Sequence, residues 1–338
     1  MFHVEDRLKE REMFMLFYGL ALLVLIVLAL LWLGGLYFFK TAIRRAPKSF
    51  LVDNPNLMPE PDNEIISSAS DMAWLNTQPT EDIYIESHDD LKLRGTWLPS
   101  HSGSQHRTVI LAHGYSGKGR EMAGFARFYA EKRGFNVLMP DDRGHGQSEG
   151  NIIGFGWLDR KDYVQWVHWV LDKIGTETEI ILHGISMGGA TVLMTGGEAL
   201  PNQVKAIVSD CAYTSVKEEL TFQLKQLYKL PAFPFIPVTS LISRWKAGYF
   251  FGEASALNQL AKVQAPVLFI HGEADTFVPT EMVYRLHEAC PTEKEHLTIP
   301  RAGHGTSFQV DRARYEEVLE SFLTKSLSHS SPVPANDK

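Results

Sequence analysis

The feature that most constrains this chain is an apolar run close to its N terminus. No charged residue occurs from Met13 to Phe39, a run of 27 residues. Because about 20 helical residues cross ~30 Å of hydrocarbon, the run can span a membrane with room for tilt. A buried core helix of this length would carry a polar stripe, and none is visible. The sequence therefore predicts a single transmembrane helix over 13–39, preceded by a short tail over 1–12.

A cleaved signal peptide is the alternative interpretation of this run. Signal peptides have an apolar core of about 7–15 residues and a small-residue cleavage site, whereas this run is longer and no such site follows. Aromatic side chains lie toward its C-terminal end, where they favour the membrane interface: Trp32, Tyr37, Phe38 and Phe39. We expect an uncleaved anchor in the cell membrane. Three basic residues before the run and four after it leave open which side carries the rest of the chain.

The composition of the rest of the chain argues against some functions and sets the limits of the globular domain. A net charge of −7 and a pI near 6.0 argue against a nucleic-acid partner. Cys211 and Cys290 have no metal-binding or redox spacing, and whether they pair is left open. Residues 40–80, rich in Pro, Asn, Ser and acidic side chains, read as a tether that ends by packing on the globular domain. Residues 328–338 read as a disordered tail.

From residue 81 to 327 short apolar runs alternate with helical patterns. The segments 83–87 and 91–98 alternate apolar and polar side chains on either side of a turn, which indicates a β-hairpin. Later runs are continuously apolar, as buried parallel strands are: TVILAH (108–113), FNVLMP (135–140), EIILHG (179–184), VKAIVSD (204–210), APVLFIHG (265–272) and EHLTIP (295–300). Together they predict an α/β domain with a mostly parallel sheet, helices on both faces and an antiparallel edge hairpin.

One segment, at about 214–258, departs from this alternation. It is helix-rich and aromatic, it is broken by the prolines of PAFPFIP, and it is far longer than the usual connection between sheet strands. We interpret it as a lid over an apolar pocket. A pair of packing helices without substrate contact is the alternative.

The sequence EIILHGISMGG (179–189) holds the strongest chemical signal. Gly184, Ser186 and Gly188 form the G-x-S-x-G pattern of a nucleophile elbow, in which a strained turn lifts a serine above the end of a strand. The glycines are needed because bulk at either position would clash with neighbouring backbone. The pattern is weak alone but gains weight here, since a strand precedes it and a helical pattern follows.

The serine needs a base, an acid that orients the base, and donors for the oxyanion. Asp275 and His304 lie in loops that follow the last two predicted strands, and the order Ser–Asp–His is that of α/β-hydrolases. The backbone N–H groups of Met187 and Tyr115 are the predicted oxyanion donors. Asp210, at the end of its own strand, is the alternative acid. No metal or organic cofactor is implied.

Several other polar residues are interpreted as structural. The segment PDDRGHGQSEG (140–150) contains His145 and Ser148, but it reads as a glycine-rich turn held by Asp141 and Arg143. His113 and His271, at strand ends, are expected to fix loops. His183, within the elbow strand, is expected to be buried and hydrogen-bonded.

Taken together, these motifs resemble those of the α/β-hydrolase superfamily. The matching segments are HGYSG (113–117), PDDRGHGQSEG (140–150), GISMGG (184–189), HGEADTFVP (271–279) and AGHG (302–305). The chain is similar to the monoacylglycerol-lipase-like and serine-aminopeptidase-like group and to membrane-anchored bacterial hydrolases of the Bem46 type. The resemblance implies a serine hydrolase with Ser186 as nucleophile, Asp275 as acid and His304 as base.

We therefore expect a membrane-anchored serine hydrolase that cleaves carboxylic esters, with a small-molecule or lipid-like acyl substrate. Amide or peptide cleavage is the alternative, and an aminopeptidase would need an acidic anchor for the substrate amine, with Glu218, Glu219 and Glu253 as candidates. A ligand-binding module without activity is the non-enzymatic alternative, which the complete Ser–Asp–His set disfavours.

Overall fold

An eight-stranded sheet forms the centre of the protein. The computed structural model describes residues 2–48, 66–100 and 106–328. The strands lie in the order β1-β2-β4-β3-β5-β6-β7-β8. Their bounds are β1 Glu81–Glu86, β2 Lys92–Leu98, β3 Arg107–Ala112, β4 Asn136–Pro140, β5 Glu179–Ile185, β6 Val204–Asp210, β7 Val267–Gly272 and β8 Lys294–Ile299.

Only the first two strands depart from the parallel arrangement. β1 pairs antiparallel with β2, with Ile83 opposite Gly95, and β2 pairs antiparallel with β4. The other neighbouring pairs, from β4–β3 to β7–β8, are parallel. The fold class predicted from the sequence, including the antiparallel hairpin at one edge, is confirmed.

Helices cover both faces of the sheet. Their bounds are α1 Phe2–Phe38, α2 Ile66–Asn76, α3 Ala123–Arg127, α4 Asp159–Ile174, α5 Met187–Gly196, α6 Val216–Tyr228, α7 Ala232–Ala247, α8 Ala256–Leu260, α9 Glu281–Ala289, α10 Ser307–Val310 and α11 Arg312–Ser328. Successive side chains of β3 enter opposite cores, since Ile110 packs on the α4 and α5 side and Val109 on the α3 and α11 side. Both faces are therefore apolar, as the continuous apolar strands require.

The N-terminal helix is longer than the predicted span. α1 begins at Phe2, so residues expected to form a short tail are helical, and a π-helical turn over Phe39–Ile43 follows it. One helix among the described residues, Glu10–Ile43, is long and apolar enough to cross a membrane. The aromatic residues predicted to lie at the membrane interface differ in exposure. Tyr37 is exposed, whereas Phe38 is half-buried and Phe39 is buried against the sheet domain.

The predicted tether is docked at both of its described ends. Ile43 is fully buried and its carbonyl accepts from Ile153 N (2.8 Å), while Arg45 N donates to Asn151 O (2.9 Å). Residues 40–48, predicted as the first part of a tether, are therefore packed on the globular unit. At the other end α2 packs on the domain through the buried Leu75. The middle of the tether, 49–65, and the predicted tail beyond Ser328 lie outside the described residues.

The segment predicted as a lid contains α6, α7 and the start of α8. α7 packs against the C-terminal part of α1 so closely that a Cβ on Gly35 would lie 2.8 Å from both Val238 Cγ1 and Ile242 Cδ1. The lid therefore rests on the N-terminal helix as well as on the sheet domain. Cys211 and Cys290 are both buried free thiols.

Candidate active site

The strand-to-helix turn after β5 has the geometry of a nucleophile elbow. Ser186 lies between β5 and α5 with φ 57° and ψ −118°, a strained conformation for a residue with a side chain. A Cβ on Gly184 would collide with the carbonyl oxygen of Gly188, and one on Gly188 would collide with that of Ala112. Only glycine fits at these two positions, so the turn holds the serine hydroxyl at the carboxyl edge of the sheet.

The residues predicted as base and acid lie beside this serine. Ser186 Oγ is 2.7 Å from Nε2 of His304, and Nδ1 of His304 is 2.8 Å from Oδ2 of Asp275. The three groups come from loops separated by up to 118 residues of chain. In this arrangement the imidazole can accept the serine proton while the carboxylate holds its orientation.

Asp275 is held in place by its own loop. Its Oδ1 accepts hydrogen bonds from the backbone N–H groups of Phe277 (2.9 Å) and Val278 (2.8 Å). Burial would raise the pKa of this carboxyl, but the attraction of His304 and hydrogen bonds from His271 and His304 hold it below its ordinary value. The carboxylate therefore stays ionised beside the imidazole.

His271 contributes to the site in a way that the sequence did not reveal. Its Nε2 lies 3.1 Å from Asp275 Oδ2 and 3.0 Å from Val278 O, so it touches the same carboxylate oxygen as His304. The prediction of a loop-fixing residue understated this contact, because the position of His271 at a strand end carries no sign of it. The nearest sequence signal is the spacing of four residues to Asp275.

The alternative acid is engaged elsewhere. Asp210 Oδ2 accepts a hydrogen bond from the Tyr315 hydroxyl (3.0 Å), and burial raises the pKa of this carboxyl to about 6. The Tyr315 hydroxyl also contacts Nε2 of His183 (3.2 Å), whose Nδ1 faces the Tyr129 hydroxyl (3.1 Å). His183 is thus buried and hydrogen-bonded. The backbone of Asp210 does support the elbow, since its carbonyl accepts from Ser186 N (2.8 Å).

The two predicted oxyanion donors flank the serine. Met187 is the first residue of α5, where a backbone N–H has no acceptor within its own helix. Tyr115 follows Gly114, whose Cβ position would lie 3.5 Å from Ser186 Cβ and 3.9 Å from Ser186 Oγ. The loop that bears Tyr115 therefore runs directly beside the hydroxyl, where donors could face an oxyanion.

Comparisons with known proteins agree with this geometry. A family model described as alpha/beta hydrolase fold matches residues 107–234, and one described as Serine hydrolase (FSH1) matches residues 191–306. An esterase structure from Pyrococcus furiosus superimposes with a TM-score of 0.61 at 25% identity, covering 76% of this chain and 93% of the esterase. The chain is a serine hydrolase of the α/β-hydrolase fold.

Two protein relatives extend the comparison. The uncharacterised protein YqkD of Bacillus subtilis is 29% identical over 64% of this chain and 70% of its own length. Protein bem46 of Schizosaccharomyces pombe is 24% identical over 68% of this chain and 71% of its own length. The similarity to Bem46-type proteins that the motifs suggested therefore extends over 68% of this chain.

An apolar pocket opens in front of the hydrolase's Ser186. It encloses about 870 Å³ of empty space, including its mouth. Its walls come from the lid, from the loops at the sheet edge and from the end of α1, and six of its aromatic and aliphatic residues are Phe38, Phe155, Leu220, Leu224, Phe235 and Phe277. The Tyr115 hydroxyl donates to Ala42 O (2.7 Å), which fixes the segment after α1 to the oxyanion loop. The N-terminal helix is therefore part of the pocket wall.

One carboxyl lies in this apolar pocket. Glu219 on α6 is buried, its Oε1 accepts from Gln223 Nε2 (2.8 Å), and its Oε2 has no hydrogen-bond partner among the described residues. Burial raises the pKa of Glu219 to about 8. Of the other acidic candidates, Glu218 pairs with Arg285 and Glu253 accepts from Phe250 N, so neither faces the pocket lining.

The glycine-rich segment after β4 has a structural role in the hydrolase. Asp141 accepts from Gly119 N and Gln147 N (both 2.9 Å), and Ser148 Oγ donates to Asp141 O (2.6 Å). Arg143 bonds two carboxylates, Asp162 at 2.6 Å and Asp89 at 2.8 Å. These bonds account for the polar residues of the motif without a chemical step.

Two further contacts at histidines support the same interpretation. His145 Nδ1 lies 3.0 Å from Arg143 O and its Nε2 accepts from Ser116 N (3.3 Å). His113 Nε2 accepts from Asp142 N (3.0 Å). Both imidazoles therefore join the oxyanion loop to the segment after β4.

Among the residues that the structure describes, two side-chain groups have ligand atoms close enough to hold a metal ion. In the first, Cys211 lies beside Asp275 and His304, but both ring nitrogens of the histidine are already used by the serine and the carboxylate. In the second, His88 lies beside Asp89 and Asp162, whose carboxylates already pair with the Arg143 guanidinium. A metal at either place would displace an existing hydrogen-bonded pair.

Proposed function

We propose that this serine hydrolase is a membrane-anchored carboxylesterase of apolar acyl esters. The observation that carries the proposal is the position of Ser186, whose hydroxyl meets His304 on one side and the apolar pocket on the other. A pocket lined mainly by aromatic and aliphatic side chains suits a hydrocarbon chain next to a reacting carbonyl.

The reaction would proceed through an acyl-serine. As Ser186 Oγ attacks the substrate carbonyl carbon, His304 Nε2 takes its proton, and the N–H groups of Met187 and Tyr115 stabilise the oxyanion. The imidazolium then gives that proton to the leaving alkoxide, and the ester C–O bond breaks. Water, deprotonated by the same imidazole, attacks the acyl-serine, releases the carboxylic acid and restores the hydroxyl.

Asp275 would act on the histidine rather than on the substrate. Its ionised carboxylate holds Nδ1–H and stabilises the imidazolium that forms during attack. His271 would be a positioning residue, since it contacts the carboxylate and not the serine. The Phe277 ring packs on the His304 ring with centroids 4.9 Å apart, which shields the imidazole from water.

The anchor fits this chemistry. A helix long and apolar enough to cross a membrane leads directly into the pocket wall, so the hydrolase would work at a membrane surface as a single-pass protein. Its partners would be the bilayer and a small or lipid-like acyl substrate. The supporting observation is the continuity of α1 with pocket residues Phe38, Thr41 and Ala42.

Amide cleavage is the second candidate, and Glu219 is the observation that favours it. An unpartnered carboxyl oxygen in a pocket next to the nucleophile could receive the ammonium group of an aminoacyl substrate. Against this, a raised pKa means that Glu219 is mostly neutral at pH 7, whereas an ammonium anchor works best as a carboxylate. We therefore favour ester cleavage over amide cleavage.

The test is a substrate panel with the full chain in detergent micelles. p-Nitrophenyl esters of two to sixteen acyl carbons would be compared with aminoacyl p-nitroanilides, with Ser186→Ala as the blank. We expect kcat/KM to rise with chain length and the anilides to be poor substrates. Turnover of the anilides above all of the esters would overturn the ester proposal, and turnover by neither would overturn both candidates.

A further inference from the structure

The exposed side of the lid helix α7 carries an apolar stripe. Phe233, Pro237, Leu241 and Trp245 recur every four residues, and each is exposed. The spacing of Pro237, Leu241 and Trp245 puts them along one side of α7, and Phe233 precedes them at a kink where its backbone is not helical (φ −89°, ψ 132°). Phe233 is 77% exposed, Leu241 52% and Trp245 69%, so large apolar side chains cover this side of the lid. A stripe of this kind at the surface marks an interaction site.

α7 lies beside the C-terminal part of α1, which exceeds the length required to cross the hydrocarbon. The uncharged run of 27 residues is about 40 Å long as a helix, roughly 10 Å more than the hydrocarbon thickness. Contacts with α7 are made at this C-terminal end, where Gly35 meets Val238 and Ile242. Trp32 and Trp245 have ring centroids 6.3 Å apart. The stripe is thus continuous with the apolar surface of α1, at the level of the membrane interface.

Charge in this region favours a lipid surface. From Lys229 to Gly252 the chain has three basic residues, Lys229, Arg244 and Lys246, and no acidic one. Arg244 and Lys246 flank Trp245, and the Lys246 ammonium lies 4.4 Å from the Trp245 ring centroid. Apolar side chains flanked by basic ones are typical of helices that lie in the plane of a bilayer.

The pocket reaches the surface next to this stripe. Leu227, Tyr228 and Phe235 line the pocket, and they lie where α1, α6 and α7 meet. Leu227 is 37% exposed, and the Phe38 ring packs on those of Tyr228 and Phe235 at 5.1 Å and 5.7 Å. An acyl chain lying along α1 in the outer part of the bilayer therefore has an apolar path toward Ser186.

We propose that α7 is an interfacial membrane helix and that the pocket takes its acyl substrate directly from the bilayer, between α1 and the lid. The inference rests on the proposed esterase function, and it adds a substrate class: esters whose acyl chain is embedded in a membrane. Water-soluble short esters reach the same serine without this route.

The first experiment measures where α7 lies. Leu241→Cys, labelled with the fluorophore NBD, is compared with Tyr284→Cys on α9, since the two native side chains are similarly exposed (52% and 50%) and the native cysteines are buried. The full chain is reconstituted in vesicles of phosphatidylcholine and phosphatidylglycerol, with and without doxyl-labelled lipid. We expect blue-shifted, doxyl-quenched emission at 241 only.

Two results would overturn the proposal. Emission at 241 that is neither blue-shifted nor quenched, like that at 284, would mean that α7 lies in water. Blue-shifted emission at 241 that doxyl lipid fails to quench would mean that a protein surface, such as a second copy of the chain, covers the stripe.

The second experiment separates substrate entry from chemistry. Leu241→Glu/Trp245→Glu changes the stripe but not the pocket lining. We expect kcat/KM to fall about tenfold or more for a long-chain ester in vesicles and to stay unchanged for p-nitrophenyl acetate. If the variant keeps the kcat/KM of the unmodified hydrolase on both substrates, the bilayer route is overturned while the esterase function stands. Absence of turnover by the unmodified hydrolase would overturn the proposed function instead.

Discussion

The carboxyl edge of the sheet and the exposed side of the lid helix α7 differ in what they bury. The sheet edge buries polar groups, whereas α7 leaves apolar side chains exposed. At the sheet edge the charged side chain Asp275 is buried with four hydrogen-bonding contacts, and the elbow admits only glycine at two positions. On the lid, large apolar side chains such as Trp245 remain exposed. Polar groups are therefore held in fixed positions where charge would develop during the reaction. Apolar groups are left exposed where lipid would bind.

The largest expected effect comes from removing the nucleophile at the sheet edge. Ser186→Ala should lower kcat on a long-chain p-nitrophenyl ester by about 10⁴-fold or more, because no other hydroxyl of the described residues is hydrogen-bonded to His304. Ser326→Ala, whose hydroxyl donates to Phe322 O in its own helix, is the matched control and should retain full activity. Comparable activity in the two variants would remove Ser186 from the mechanism.

The choice of acid can be tested with a pair of isosteric changes. Asp275→Asn should lower kcat by about 10³–10⁴-fold. The amide oxygen would accept the two backbone N–H groups that Oδ1 accepts now, so the amide NH2 would donate to His304 Nδ1 and favour the wrong tautomer, and the neutral amide could not stabilise the imidazolium. Asp210→Asn should lower kcat less than about tenfold, since that carboxyl bonds Tyr315 rather than His304. Steady-state kinetics checks both variants, and the reverse order of effects would reassign the acid to Asp210.

Glycine substitutions sharpen the contrast in backbone packing. Gly188→Ala should destabilise the fold by about 3 kcal/mol, because its Cβ would overlap the carbonyl of Ala112 and lie 2.6 Å from that of His113. Gly252→Ala, in the chain after the lid helix α7, has open space around its Cβ position and should change stability by less than about 0.5 kcal/mol. Thermal unfolding measures both, and equal midpoints would show that the elbow is not tightly packed.

A further effect is expected at Glu219 and depends on pH. Burial raises the pKa of Glu219 to about 8 in the folded hydrolase, against about 4.3 in an unfolded chain. Between these values the folded state holds a proton that the unfolded state has lost, so stability falls as pH rises and levels off above about 8. Glu219→Gln removes this contribution.

The measurement is the unfolding midpoint from pH 5 to pH 9. The stability of Glu219→Gln relative to the unmodified hydrolase should rise with pH up to about 8 and then level off. Asp142 and Asp159, whose pKa values burial raises to about 8, impose the same slope on both proteins and cancel in the difference. Parallel curves would mean that Glu219 is already ionised in the folded state.

The sheet and the arrangement of its edge followed from the sequence because both obey short-range rules. Continuous apolar strands alternating with helices specify a parallel sheet, and the loops after β7 and β8 bring Asp275 and His304 to one edge. The contact of His271 with Asp275 was not predicted because it depends on how a loop folds back.

The docking of α1 could not be predicted because apolar composition does not separate lipid contact from protein contact. Phe38 and Phe39 look like interface anchors in the sequence but pack on the hydrolase domain. The available signal was the pair Gly34–Gly35, since adjacent small residues let another helix approach closely.

Covalent labelling shows directly whether Ser186 is an activated nucleophile at the apolar pocket. The full chain would be incubated with a fluorophosphonate carrying a long alkyl chain and then digested for peptide mass spectrometry. We predict one adduct per chain, on Ser186, which is lost in His304→Ala. A folded protein that takes up no label, or that is labelled at another residue, would show that Ser186 is not the nucleophile.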